Sequence, residues 1–435
     1  MLQEKYLTKM KDLLKDEYND YLNSFNEKPY RGLRVNTSKI SIKDFLKIFP
    51  YHLEKVPWTS DGFYYEDENI SKHPFYYAGL YYIQEPSAML PGELLPIEKN
   101  DVVLDACAAP GGKSLKILDK LNGTGLLLTN DISSSRMMAT IRNIERHGYQ
   151  NFYASACDIN DLSTKYIKTF DKILLDAPCS GEGMFRKDPS LIKSWLIKDN
   201  DYYVPIQKKL IISCLNMLKD GGILLYSTCT FDPKEDEEII EYALNNFDNL
   251  ELLPITMYKG FVEGKNNIGV KLFPHRIKGE GHFACLIKKG NKKDNKNIIN
   301  NKININIDFF KEYINKEYQN KEIKRIDDAI YCAPIFNTNN IHILRSGLLL
   351  GKNKNNIFMP CQALAMSLKK EEFKNILNLK LNDEDVYRYL KGETLKNRNN
   401  QNGYILICVE GFPLGFGKAQ NDIIKNKIDK GWIIR

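Results

Sequence analysis

Two cysteines follow apolar runs at points where a buried strand would end. Cys179 lies in the run Asp176-Ala177-Pro178-Cys179-Ser180, and Cys229 follows the run that begins at Gly222. A thiolate is a strong nucleophile, but a free thiol with a pKa of about 8.5 needs a positive or dipolar neighbour to ionise at neutral pH, and Lys113 is a candidate for that neighbour. The pair therefore indicates covalent chemistry. Six other cysteines are expected to be packing residues: Cys157, Cys214, Cys285, Cys332, Cys361 and Cys408.

Four apolar runs end in a carboxylate. The acidic residues are Asp105, Asp131, Asp158 and Asp176. Taken singly, each could be a helix N-cap. In an open parallel sheet, however, ligands bind beyond the carboxyl ends of the strands. Four acids in the same position therefore predict one cleft with carboxylates along its rim.

A loop of small residues leads from the first of these runs into a helix. It reads Cys107, Ala108, Ala109, Pro110, Gly111, Gly112, Lys113, Ser114. The phosphate-binding pattern G-x-x-x-x-G-K-[ST] fits except that Cys107 replaces its first glycine, and the dinucleotide pattern G-x-G-x-x-G is absent. S-adenosylmethionine is the third possibility. It has no phosphates to hold and, by analogy with dinucleotides, needs close backbone approach plus an acid about 20 residues on for its ribose hydroxyls.

Two acids have the positions that S-adenosylmethionine would need. Asp131 stands 20 residues after Gly111, and Asp158, at the next strand end, could face the adenine amino group. Thiols and acids together suit methylation at carbon 5 of a cytosine. That carbon is a poor nucleophile until a thiolate adds to carbon 6 while an acid hydrogen-bonds the ring nitrogen. The carbon 5 proton must later leave to a base as the thiolate is expelled.

Three segments resemble the motifs of the Sun-domain RNA cytosine-5 methyltransferases: 105–114, 176–186 and 227–231. The segments 33–37 and 272–283 are also similar, so the resemblance is continuous from about residue 30 to 290. The layout is similar to the bacterial RsmF type, which modifies small-subunit ribosomal RNA. The Lys/Asn-rich run 288–310 departs from that pattern, and the tail 425–431 matches it loosely.

The resemblance implies a role for each site residue. Cys229 would be the nucleophile, Cys179 would assist product release, and Asp176 would contact the cytosine beside the cofactor. S-adenosylmethionine would bind the loop from Cys107 to Lys113, with Asp131, Asp158 and Asp176 as further contacts. The RNA partner would be 16S ribosomal RNA or the small ribosomal subunit, with tRNA as the alternative.

Two functions of other classes compete with this interpretation. A catalytically silent RNA-binding assembly factor should have lost a cysteine or the cofactor loop, yet all of these elements are present. A nucleotide hydrolase using Lys113 and Ser114 lacks its first glycine and leaves both cysteines unexplained.

The alternation of short apolar runs with longer helical stretches from residue 101 to 288 predicts βαβ units around a parallel sheet. With the resemblance, we expect an α/β fold: a Rossmann-like class I methyltransferase sheet, a small N-terminal α+β unit and a C-terminal β-rich, PUA-like RNA-binding unit. The glycine-rich run 411–417 is expected to form turns between short strands. The predicted division is 1–92 for the N-terminal RNA-binding domain, 93–290 for the methyltransferase domain, 291–308 for a linker and 309–435 for the C-terminal RNA-binding extension.

Composition adds few constraints. The net charge of +7 would favour phosphate, but a surplus of this size is weak evidence for RNA. No C-x-x-C pair or zinc-finger spacing occurs, and no apolar run suits a signal peptide or a membrane span, so we expect no metal, no membrane contact and a cytoplasmic monomer. The candidate phosphate contacts are Arg31, Arg34, Lys39, Arg186, Lys187, His275 and Arg276, although surface cations are more often only solvated.

Overall fold

The N-terminal part of the chain pairs helices with a small antiparallel sheet. The structure is a computed structural model that describes residues 2–67, 69–290, 302–303, 305–355 and 357–434. Within the N-terminal part, the four strands lie in the order β2-β3-β1-β4, which confirms the predicted α+β unit. The elements are α1 Glu4–Leu14, α2 Tyr18–Ser24, β1 Gly32–Val35, α3 Ile42–Ile48, β2 Glu54–Lys55, β3 Gly62–Tyr64, α4 Pro74–Tyr77 and β4 Tyr81–Ile83.

The central part forms the predicted Rossmann-like sheet. Its five parallel strands lie in the order β7-β6-β5-β8-β9, and β13 continues the sheet antiparallel to β9. The elements are α5 Leu90–Leu94, β5 Val102–Asp105, α6 Gly112–Leu121, β6 Leu126–Asn130, α7 Ser134–His147, β7 Phe152–Ser155, α8 Ile159–Lys165, β8 Phe170–Asp176, α9 Ser190–Trp195, α10 Asn200–Met217, β9 Leu218–Thr228, α11 Glu237–Asn246, β10 Leu250–Leu253, β11 Val262–Glu263, β12 Val270–Leu272 and β13 His282–Lys289.

The C-terminal part is rich in strands, as predicted. Two sheets have the orders β16-β17-β19-β20 and β21-β23-β24-β25-β22. The elements are β14 Lys302–Ile303, α12 Asp308–Tyr313, β15 Tyr318–Gln319, β16 Lys321–Ile326, β17 Ala329–Pro334, β18 Ile343–Ser346, β19 Leu348–Lys354, β20 Ile357–Pro360, α13 Gln362–Met366, β21 Ile376–Leu379, α14 Glu384–Leu390, β22 Leu395–Lys396, β23 Gly403–Val409, β24 Phe412–Gln420 and β25 Ile423–Asn426.

Two details of this part differ from the sequence analysis. The run 411–417 was expected to form several turns, but only Gly411 lies in a turn, and Phe412 to Gly417 belong to the nine-residue strand β24. Strand β18 pairs with β7 and so extends the central sheet. The predicted linker, 291–308, lies mostly outside the described residues. At its described end, Ile303, Ile305 and Ile307 pack against the C-terminal core.

Alternation along the strands builds a core on each face of the central sheet. In β8, Ile173 and Leu175 pack into a cluster with side chains of α10 and α11, while Leu174 faces the opposite cluster with α6 and α7. Successive side chains of a strand point to opposite faces, which explains this division. Among the residues that the structure describes, no helix has both the length and the apolar character needed to cross a membrane.

We expect Ile173→Ala to lower the free energy of unfolding by roughly 2 to 5 kcal/mol, because the side chain is fully buried and its loss leaves a cavity. Ile197→Ala is the matched control. That side chain is 83% exposed, so a change within about 0.5 kcal/mol is expected. Urea denaturation of the full chain, followed by circular dichroism, measures both. Equal effects of the two substitutions would contradict the placement of β8 in the core.

Candidate active site

Three of the four predicted strand-end acids, together with both strand-end cysteines, meet in one cavity. It lies beyond the carboxyl ends of the parallel strands, where β5 neighbours both β6 and β8 and the strand order reverses, the usual ligand position in such sheets. The cavity measures about 490 Å³, within the range of small-molecule sites. The predicted residues that line it are Cys107, Ala109, Asp131, Asp158, Asp176, Cys179 and Cys229.

The rest of the predicted cofactor loop forms the wall behind this lining. Ala108, Pro110, Gly111, Gly112 and Lys113 are not among the lining residues. Two features of the wall show why the loop is built from glycine. Gly111 precedes α6 with a φ of 102°, and a Cβ there would meet Thr140 at 2.9 Å. The backbone can therefore turn sharply here and pack closely against α7.

The two thiols lie side by side. Cys179 Sγ and Cys229 Sγ are 3.2 Å apart, and the backbone N–H of Cys229 donates to Cys179 Sγ at 3.3 Å. The hydrogen bond with Cys229, together with burial, raises the pKa of Cys179 well above its ordinary value. Both sulfurs also face the same cavity, and which of them acts as nucleophile stays a prediction.

A buried carboxylate holds the two cysteine loops together. Glu235 accepts hydrogen bonds from the backbone N–H of Ser180 at 3.0 Å, from Asn200 at 2.6 Å and from Gln207 at 2.8 Å. Thr230, next to Cys229, shares a hydrogen bond of 2.8 Å with Ser180 Oγ. Sequence reasoning missed Glu235, because a glutamate six residues after Cys229 carries no motif by itself.

Asp176 is bound on both oxygens. Lys113 Nζ donates to Oδ2 at 2.5 Å, and Ser227 Oγ donates to Oδ1 at 2.7 Å. Burial alone would raise the pKa of Asp176, but the ammonium of Lys113 and the ring of His282 hold it far below its usual range. At Lys113, burial lowers the pKa of the ammonium, but the charge and the hydrogen bond of Asp176 outweigh burial and raise it. Asp176 is thus a fixed anion beside a fixed cation.

The acids on the far side of the cavity have different environments. Asp131 is buried and accepts from the backbone N–H of Ser133 at 3.0 Å. Arg136, missed by the sequence analysis, stands 3.4 Å from Asp131 and donates to the Ala109 carbonyl at 3.1 Å. Asp158 is exposed, lines the cavity and caps α8 through the N–H of Asn160, so its N-cap role is confirmed and its cofactor contact stays a prediction.

Asp105, the fourth predicted strand-end acid, is fully buried and lies outside the cavity lining, so its predicted place on the rim is wrong. Burial raises its pKa to about 7. Its Oδ2 accepts from Ser114 Oγ at 2.6 Å, and its Oδ1 has no hydrogen-bond partner among the described residues. With Ser114 fully buried on Asp105 and Lys113 on Asp176, neither residue of the would-be phosphate loop is free to hold a phosphate. The carboxylates that line the cavity accept hydrogen bonds, so they suit a ligand with hydroxyl and amino groups better than one with phosphates.

Two predicted phosphate contacts are wrong. Arg34 is buried against Asp61, 3.0 Å away, and donates to the Gly112 carbonyl. Arg186 is buried against Glu280 at 2.9 Å. Both cations are already paired, so neither can meet a phosphate. Lys39 is half-buried and donates to the carbonyls of Ala78 and Arg146, and its phosphate contact stays a prediction.

His275 and Arg276 are also already paired. Both bond to the same carboxylate, that of Glu17. Arg31 and Lys187 stay predictions.

Models of known protein families match the N-terminal, central and C-terminal parts of the chain. Four family models match, described as the 16S rRNA methyltransferase RsmB/F, the N-terminal domain of 16S rRNA methyltransferase RsmF, the RsmF rRNA methyltransferase first C-terminal domain and the methyltransferase RsmF PUA domain. The matched residues are, in that order, 93–288, 2–86, 308–368 and 376–434.

Individual relatives agree with these models. The "Ribosomal RNA small subunit methyltransferase F" of Escherichia coli O139:H28 is 35% identical over 299 residues, which are 65% of this chain and 62% of the relative. This chain therefore spans less than two thirds of the length of that curated relative. A solved methyltransferase homolog protein from Pyrococcus horikoshii is 31% identical, with a TM-score of 0.57 over 64% of this chain and 93% of its own. The solved NSun6 from the same organism, at 22% identity, shares the fold, with a TM-score of 0.60 over 67% and 99%.

We expect Asp131→Ala to weaken S-adenosylmethionine binding, because the ribose hydroxyls lose a charged acceptor. A hydrogen bond to a charged group is worth roughly 1.5 to 3 kcal/mol, so the dissociation constant should rise about tenfold to a hundredfold. Asp161→Ala is the control, since Asp161 is exposed on α8 and outside the cavity lining. Calorimetric titration measures both. An unchanged affinity in Asp131→Ala would contradict the assignment.

Proposed function

Since the chain belongs to the family described as 16S rRNA methyltransferase RsmB/F, we propose that it transfers a methyl group from S-adenosylmethionine to carbon 5 of a cytosine in RNA. The 3.2 Å approach of Cys179 Sγ to Cys229 Sγ, beside the Lys113–Asp176 ion pair, is the observation that carries the proposal. Covalent cytosine chemistry needs a nucleophilic thiol and an adjacent polar group for the ring edge, and both stand in one cavity here.

The residues fit the cofactor on the strength of their own chemistry. Cys107, Ala109, Asp131 and Asp158 line one side of the cavity. The buried Asp131 would accept from the ribose hydroxyls, and Asp158 from the adenine amino group. S-adenosylmethionine supplies an electrophilic methyl group when bound. The loop from Cys107 to Lys113 would hold it next to Asp176.

Cys229 would open the reaction by adding to carbon 6 of the target cytosine. Lys113 supplies positive charge, since its ammonium interacts electrostatically with the Cys229 sulfur and so favours the thiolate. The Asp176 carboxylate would accept a hydrogen bond from the cytosine amino group and fix the ring. The new carbon–sulfur bond makes carbon 5 electron-rich, so it can take the methyl group.

Cys179 would then assist release. The hydrogen bond with Cys229, burial and the charge of Cys229 raise the pKa of Cys179, and that charge disappears once the Cys229 sulfur is bonded to carbon. Cys179 can then give its proton to solvent and, as a thiolate, take the carbon 5 proton, while the carbon 6–sulfur bond breaks and its electron pair returns to Cys229. The two thiols would thus act in sequence.

The substrate is proposed to be 16S ribosomal RNA, alone or in the small subunit, because the matched family and relatives carry that name. The same chemistry on tRNA, or a silent assembly role, are the alternatives. The target base must be unpaired or turned out of its helix, because both faces of the ring are needed. A monomer in the cytoplasm, without metal or membrane contact, and the four-segment domain division belong to this proposal.

Methyl transfer by the full chain tests the function directly. Incubation with methyl-labelled S-adenosylmethionine and either 16S ribosomal RNA or tRNA, followed by digestion to nucleosides, should give labelled 5-methylcytidine from the ribosomal RNA. Label in another nucleoside would overturn the proposed carbon 5 chemistry. Label only in tRNA would transfer the proposal to that substrate.

The two cysteines should fail in different ways. Cys229→Ala should abolish methyl transfer and form no covalent adduct, because nothing can activate carbon 5. Cys179→Ala should let Cys229 attack and methylate but stall before elimination, so protein and RNA should stay linked. A denaturing gel, run after incubation with RNA and S-adenosylmethionine, reads out both results.

Cys214→Ala serves as the control for these variants. Cys214 is fully buried in the core beneath the sheet, so its loss should cost about 1 kcal/mol of stability and leave turnover largely intact. A trapped band for Cys229→Ala and none for Cys179→Ala would reverse the two roles. Full activity in both would exclude the cysteine mechanism.

A further inference from the structure

One buried histidine beside the site has no assigned role. His282 begins β13, and its side chain is only 2% exposed. Neither ring nitrogen has a hydrogen-bond partner among the described residues. Leaving such a group buried and unpaired is costly, and polar groups left in this state deserve a functional explanation.

The ring of His282 faces the catalytic carboxylate. Nε2 lies 3.7 Å from Asp176 Oδ1, which is too long for a hydrogen bond but within reach of an ion pair. Catalytic contacts are often long before substrate binds and shorten in the complex. The strand pairing supports this position, because the next residue, Phe283, pairs with Thr228, which directly precedes Cys229. His282 therefore stands at the edge where the nucleophile and Asp176 meet.

The proposed reaction needs a proton that Asp176 does not hold. When the Cys229 thiolate adds to carbon 6, the ring nitrogen of cytosine becomes basic and must be protonated. Asp176 is ionised in the resting site, and Lys113 keeps its proton because its pKa is raised. An imidazole ordinarily titrates near neutral pH, so it can give and retake a proton under cellular conditions.

We propose that His282 is a positioning residue that stores this proton and passes it to the cytosine ring nitrogen through Asp176. The inference rests on the proposed function. As the sulfur–carbon 6 bond forms, one proton moves from His282 Nε2 to Asp176 Oδ1 and from there to the ring nitrogen. When Cys229 leaves, the proton returns along the same path, so the cycle is balanced and consumes no other reactant.

Other titratable or charged side chains near the start of β13 have partners of their own. Arg186 pairs with Glu280, Lys271 with Asp236 and Glu237, and Cys179 with Cys229. Asp105, whose pKa is raised by burial to about 7, interacts electrostatically with Asp176 and Lys113, but it is bonded to Ser114 and does not line the cavity.

Single-turnover methylation of 16S ribosomal RNA, measured across pH, tests the proposal. The wild type should lose rate at high pH, because the proposed proton store is then empty. His282→Gln should react about a hundredfold more slowly, in line with the usual contribution of a proton-transfer group. It should also lack that alkaline decline, with its KM for S-adenosylmethionine within about twofold of the wild type.

His282→Phe should behave in the same way, and thermal melts with cofactor titration check that each variant folds. If the phenylalanine variant is unstable, the glutamine variant carries the test. His73→Gln is the control, since His73 is buried in the N-terminal unit and bonds a backbone N–H there. Its pH profile should match the wild type.

Two outcomes would overturn the proposal. A His282→Gln variant with the wild-type rate would do so, and so would a slow variant that keeps the wild-type alkaline decline. A wild type that makes no 5-methylcytidine in the same reactions would instead defeat the proposed function, and this inference with it.

Discussion

The ion pair between Lys113 and Asp176 is the interaction around which the site is arranged. It joins the first turn of α6, which follows β5, to the end of β8 across the point where the strand order reverses. Ser227 binds the same carboxylate from β9. Three neighbouring strands are thereby tied at one edge. Removing one partner of this partly buried pair would leave the other charge uncompensated.

The flanking parts of the chain contribute to the same edge. Arg34 of β1 donates to the Gly112 carbonyl at 3.0 Å, so the N-terminal unit supports the loop proposed for the cofactor. Lys9 of α1 binds Glu182 and Asp232, which lie in the segments that follow the two cysteines. On the other side, β18 completes the sheet beside β7. These parts therefore support the central sheet and its site.

Local patterns made the central architecture predictable. Each acid predicted to end a strand lies at or just beyond a strand end. These positions are predictable because short apolar runs are visible in the local sequence and because ligands of an open parallel sheet bind beyond the carboxyl ends of its strands. Contacts between residues far apart in sequence cannot be predicted from local patterns. Arg34 pairs with Asp61, 27 residues later, and nothing in the segment around Arg34 indicates that partner. The 3.2 Å distance between the thiols likewise follows from strand register and from Glu235, which no motif marks.

If the two thiols act as proposed, cells that contain the protein must carry 5-methylcytosine in their RNA. The most direct measurement is bisulfite sequencing of total RNA from cells that have the protein, lack it, or carry only Cys229→Ala. Our account predicts that one or more 5-methylcytosine signals in 16S ribosomal RNA disappear without the protein, return with the wild type and stay absent with Cys229→Ala. Identical 5-methylcytosine signals in all three RNA samples would contradict it.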